Sequence, residues 1–183
     1  MGRLFKNIII LILCLSFLPV ACTKNKPKEV ILYDFETEAA LDEVHWKCHT
    51  LFSLSTLHAS HGKKSLKLEL FPSSYPGLSP ALKYHDWREY KNFCFEVYNP
   101  SSKKLNLVLR IDDKKQALEY SDRYNKSFTI MPGLNTLKIP LNTLKTSKTQ
   151  RPLKLKNIYR FLLFMVHPAK KQTLYLDYFR LLH

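Results

Sequence analysis

Apolar and polar residues alternate at period two along most of the chain beyond residue 29. In "SLKLEL", Leu66, Leu68 and Leu70 alternate with Lys67 and Glu69. In "NFCFEVYN", Phe93, Phe95 and Val97 share one face and Cys94, Glu96 and Tyr98 the other. "LNLVLRID" sets Leu105, Leu107, Leu109 and Ile111 against Asn106, Val108, Arg110 and Asp112. Successive side chains of a strand point to opposite faces, so this pattern predicts half-buried β-strands. Further strands are expected at "VILYDFE", "KSFTIM", "NTLKIPL" and "TLYLDYFRLL". The nearly continuous apolar run "IYRFLLFMV", 158–166, predicts a strand covered on both sides, central in its sheet. "FPSSYPGLSP", "NPSSKK" and "MPGLN" carry the Pro, Gly, Asn and Ser of turns between them. Helical periodicity is confined to single turns at "TEAALDEV" and "DWREY". Many short alternating strands with turn residues between them predict an all-β, antiparallel β-sandwich.

The first 28 residues follow another pattern. Arg3 and Lys6 precede an apolar run over 8–18, too short to span a bilayer comfortably, and Cys22 follows "LPVA". This is the layout of an export leader, and with its cysteine it resembles a bacterial lipoprotein signal. Pro19 is a departure, standing where such signals usually carry an aliphatic residue. The expected organisation is a signal peptide over 1–21, lipidation of Cys22, a polar tether over 22–28 and one sandwich domain over 29–183, a length sufficient for a single core. The implied location is the bacterial cell envelope, on its membrane through the lipid.

Charge then narrows the partners. The chain carries 29 Lys and Arg against 15 Asp and Glu, a formal +14, which favours anionic partners such as acidic glycans, phosphorylated polymers or lipid headgroups. Nucleic acid is not expected, because the chain is exported and its lysines are scattered singly. Cys48 and Cys94 remain once the leader and the lipidated residue are set aside; an oxidising compartment permits a bridge between them, but two distant cysteines make no disulfide framework.

Two motifs invite stronger readings and lose them. Gly62-Lys63-Lys64-Ser65 looks like a phosphate-gripping loop, yet the glycine that such a loop needs upstream is Leu57 here, and a strand follows instead of a helix. His45, Cys48, His49, His58 and His61 fall within a short stretch, but on strand and turn formers they read as surface histidines. No nucleophile elbow or histidine–zinc motif is present, and carboxylate pairs such as Asp112 with Glu119 or Asp122 occur in any soluble chain, so no enzyme is expected.

"YDFE", "SHGKKSLKLEL", "HDWREYKNFCFEVYNP", "FTIMPGLNTLKIPL" and "TLYLDYFRLL", in that order, resemble the jelly-roll, galactose-binding-like domains that occur as non-catalytic carbohydrate-binding modules. The resemblance implies a jelly-roll sandwich that binds glycan or polysaccharide without chemistry. It also implies that Trp87 packs under the sandwich. It further implies a structural calcium ion (Ca2+) held by backbone carbonyls of the Gly62 loop together with Asp34, Glu36 and Asp177. Calcium takes about six to eight oxygen ligands, which acids from the two chain ends plus loop carbonyls can supply. For the sugar, the residues themselves suggest Arg110, Tyr120, Arg123 and Tyr124. Arg110 points away from the core, and "EYSDRYN" concentrates groups that stack on a pyranose or hydrogen-bond its hydroxyls. The alternative is an envelope protein-interaction module, the same sandwich face or an edge strand holding a protein partner.

Overall fold

The alternation is realised as eleven strands in the computed structural model, which describes residues 29–116 and 119–183. In chain order they are β1 (Glu29–Tyr33), β2 (Val44–Cys48), β3 (Thr50–Ser55), β4 (Ser65–Leu70), β5 (Gly77–Pro80), β6 (Asn92–Asn99), β7 (Leu105–Asp112), β8 (Tyr124–Ile130), β9 (Gly133–Pro140), β10 (Arg160–Phe164) and β11 (Gln172–Leu182). One helical turn, α1 (Ala39–Asp42), forms within "TEAALDEV"; "DWREY" forms no helix. The leader, the tether and Cys22 lie outside the described residues.

Pairing is antiparallel throughout. One sheet runs β3-β4-β11-β6-β9, with β1 also on β11; the other runs β2-β5-β10-β7-β8. β10 is the middle strand of the second sheet, as its continuous apolar run requires. In β11, Leu174 and Leu176 face inward, then Phe179 and Leu181. The change of phase falls at Tyr178, whose φ of +50° marks a bulge in the pairing with β6. β4 pairs with β11 before this point and β1 after it, so the bulge brings the first strand and the loop before β4 to one place.

Between the sheets the inward faces interlock. Phe95 stacks on Phe179 with ring centroids 4.9 Å apart, and Phe161 packs 5.7 Å from Phe179 and 5.1 Å from Phe93. Trp87 is fully buried against Phe93, and its indole N–H donates to the Tyr84 carbonyl at 2.8 Å. It is a core residue, because a buried indole N–H needs the partner it has. Cys48 and Cys94 are both free; they sit on β2 and β6, strands of different sheets.

Candidate functional site

Pairing builds a hollow on the outer face of the five-stranded sheet. Leu162 of β10 lies opposite Arg110 of β7, which lies opposite Asn125 of β8; one rung along, Phe164, Val108 and Ser127 follow in the same order. These six point away from the core because Phe161, Leu163, Leu107, Leu109 and Ile111 point into it. A groove of about 590 Å³ lies over them, bounded further by Tyr75, Val166, Tyr120, Arg123 and Lys126. Its floor is carbon, from Val108, Leu162 and Phe164. Tyr75, Tyr120 and Val166 expose half or more of their surface at its rim. Tyr75 packs edge-on to Phe164, 5.8 Å between centroids, which fixes its ring.

The polar bank is held in place from below. Arg110 donates from Nε and Nη2 to the two oxygens of Asp112 at 2.8 and 2.6 Å, and Arg160 Nε donates to the same carboxylate at 2.7 Å. Asp112 is wholly buried, so its charge requires these partners. Burial holds the Arg123 guanidinium below its ordinary range, and the nearby Arg110 and Arg160 act in the same direction against the pull of Asp112 and Glu119. The segment bearing Tyr120 and Arg123 is tied down by Arg151, which donates to both oxygens of Asp113, at 2.7 and 3.0 Å, and to Asp122 at 2.8 and 3.0 Å. The Arg123 carbonyl accepts the N–H and hydroxyl of Ser147 at 2.7 and 2.8 Å.

Of the sugar-site residues expected from sequence, Arg110, Tyr120 and Arg123 all line this groove. Tyr124 does not, and the expectation for it is corrected. It opens β8 opposite Ile111, on the face turned to the core; it is buried, and burial pushes its hydroxyl up to about 12. The strand expected at "KSFTIM" begins two residues earlier, so alternation already applies from Tyr124 onward and sends its ring the other way from Asn125. Tyr75, Phe164 and Lys126 escaped the sequence reading. Phe164 had a signal, since it shares parity with Leu162 in the continuous run; Tyr75 had none, sitting in a segment of turn formers.

The second expected site lies at the β11 bulge, and the structure turns its polarity round. Glu36 Oε1 accepts the backbone N–H groups of Lys63 and Lys64, both at 2.9 Å. Asp177 Oδ2 accepts the N–H of Ser60 at 2.7 Å, that of His61 at 2.9 Å and the Ser60 hydroxyl at 3.2 Å, while its Oδ1 accepts the Tyr178 N–H at 2.7 Å. Asp34 Oδ2 stands 3.9 Å from His61 Nδ1. The His61 ring stacks on Tyr178, 4.2 Å between centroids, and the Arg180 guanidinium lies 3.8 Å from the centre of the same tyrosine. Gly62 is required here: its φ is +63°, and a Cβ would come 2.4 Å from Glu36 Oε1. The loop thus offers N–H donors to the carboxylates where calcium needs carbonyl oxygens. Among the described residues no three His, Cys, Asp or Glu gather as a metal-holding group. These donors do not fit the expected ion; the two acids act as anionic caps that fasten the Gly62 loop.

No protein-family model matches the sequence, and no curated protein is detectably similar to it. Solved structures are similar in fold. A family 11 carbohydrate-binding module from Clostridium thermocellum, in complex with a β-1,3-1,4-mixed-linked tetrasaccharide, aligns with a TM-score of 0.63 at 15% identity, over 84% of this chain and 95% of that one. The CBM22-1 xylan-binding domain from Paenibacillus barcinonensis aligns at 0.56 and 14%, over 86% and 96%. An exo-β-agarase aligns at 0.65 and 19%, but the match spans 82% of this chain and only 24% of the agarase. At such identities the likeness establishes the fold, the antiparallel jelly-roll sandwich of carbohydrate-binding modules.

Proposed function

We propose that the chain is a glycan-binding module, that the groove over β10, β7 and β8 is its binding site, and that it binds without catalysing a reaction. One observation carries the reading: an apolar floor on one outer face of the sandwich, with exposed Tyr75 and Tyr120 at its rim and arginine, asparagine and serine side chains along its β7–β8 bank. A pyranose has a C–H face that packs on aromatic rings and an edge of hydroxyls that needs hydrogen-bond partners, and the groove supplies both. That modules of this fold have been solved with a tetrasaccharide or described as xylan-binding supports the reading. The proposal includes export and a lipid on Cys22, which would hold the module at the envelope membrane while the tether over 22–28 gives it reach.

A glycan array probed with the full-length protein and its Tyr75→Ala variant tests the site. Tyr75 is half exposed and makes ring contacts only with Phe164 and His167 among the described residues, so its loss should leave the fold intact. The expected result is binding to a polysaccharide class with affinity reduced about tenfold in the variant, the scale of an aromatic anchor. Binding that Tyr75→Ala leaves untouched places the ligand elsewhere. An array with no bound glycan removes the proposal.

A further inference from the structure

The groove is electrostatically lopsided. On its β10 side Tyr75 and Phe164 present carbon; on its β8 side Arg123 presents a cation, with Arg110 between them. β10 and β8 flank β7, so about 10 Å separates the two sides, two strand spacings. A saccharide lying across the groove therefore meets the two environments with different parts. No carboxylate lines the groove among the described residues. Asp112, beneath it, is already shared by Arg110 and Arg160, so one buried negative charge faces two positive ones. Asp122, on the loop alongside, is engaged by Arg151 and Lys114.

Neutral hydroxyls donate and accept in equal measure, and a site for them offers acceptors as well as donors. Asn125 and Ser127 can serve hydroxyls, but the charged groups facing this groove are donors only, the complement of groups that only accept: carboxylate and sulfate. Taking the glycan reading of the groove as given, we infer that its ligand is an acidic glycan, a neutral ring lying on Tyr75 and Phe164 while the carboxylate or sulfate of the adjoining sugar meets Arg123. The Arg123 guanidinium is partly withdrawn from water, which strengthens its hold on an anion, whereas Lys126 turns to the other face of β8, its ammonium 5.3 Å from the centre of the Phe128 ring.

A formal charge of +14 attracts any polyanion, so the test must localise the effect. Full-length protein in mild detergent is run through native gels containing a polyuronate, a sulfated galactan or a neutral mixed-linkage β-glucan. The expected result is retardation by an acidic polymer in preference to the neutral one. The polyuronate arm reports carboxylate, and the galactan arm sulfate. Arg123→Ala should weaken that retardation about five- to tenfold, the effect of losing one charge-assisted contact. Lys138→Ala, exposed on β9 of the other sheet, should change it less than about twofold, as for a screened surface charge. Thermal melts of Arg123→Ala matching the wild type show that the fold is intact. Equal losses from Arg123→Ala and Lys138→Ala mean diffuse attraction and overturn the inference. Retardation by the neutral polymer as strong as by the acidic ones, and lost in Tyr75→Ala, overturns the acidic class while the glycan reading stands. No retardation by any polymer overturns both.

Discussion

Asp177 is buried yet accepts hydrogen bonds from three backbone N–H groups and one hydroxyl. Burial pushes its carboxyl up despite those donors. Replacing it by Asn removes the charge but also turns an N–H₂ group toward backbone N–H donors, so at least one of them is left without an acceptor. The expected loss is about 1–3 kcal/mol of stability in urea unfolding, the cost of an unsatisfied buried polar group. Because the loop meets these acids with N–H donors, that loss should be the same in chelator and in calcium, and the wild-type melting temperature should not move between them. A wild-type melt raised by calcium and insensitive to it in Asp177→Asn would restore the metal site that the resemblance implied.

At the scale of elements, the groove depends on a clamp outside it. Arg151 joins the turn after β7, through Asp113, to the segment before β8, through Asp122. Asp113 also accepts the Lys154 N–H at 2.7 Å. Burial alone would raise the Asp113 carboxyl, but Arg151 and Lys154 outweigh it and hold it below its ordinary 3.8. A carboxyl lowered on folding contributes stability that is present above its unfolded value and lost as pH falls through the folded one. Arg151→Met reverses the sign, since it leaves Asp113 buried without its cation. Its cost should be about 3 kcal/mol at pH 7 and should shrink at pH 4, where Asp113 takes up a proton; urea midpoints at the two pH values measure it. A loss that is equal at both would show that Arg151 acts by packing alone. The same variant should weaken glycan binding, because Tyr120 and Arg123 stand on the segment it releases.

For the whole molecule, the fold and the first residues make separate contributions. The sandwich places the groove on one outer face, and the lipid proposed at Cys22 would determine where that face is displayed. Mass spectrometry of the mature protein should find a chain beginning at Cys22 and carrying acyl groups. A free terminus at another residue, without lipid, would refute the anchor and leave the groove untouched. Eight of the eleven strands were legible in the sequence because the alternation of a half-buried strand is written into it residue by residue. β2 and β3 were not, since "EVHWKCHTLFSLS" breaks phase at His49, whose φ is +41°. β5 was hidden in "FPSSYPGLSP" and is a strand because Gly77 lets β10 approach: a Cβ there would lie 2.2 Å from the Leu163 carbonyl.

The chain alone determined which side of β4, β6 and β7 faces inward, and hence that Arg110 looks outward. That information is local, since it needs only the period of two and the preference of carbon for the interior. Tertiary structure decided which strands lie side by side, and with that which outer face holds a groove. Tyr75 meets Phe164 across a sequence separation no periodicity spans, through the pairing of β5 with β10. Tyr124 went to the core and Arg123 to the groove because β8 begins between them, a boundary set by pairing with β7. The acids at the β11 bulge were visible as acids; that the Gly62 loop turns N–H groups toward them is a property of backbone conformation, which the side-chain pattern does not encode.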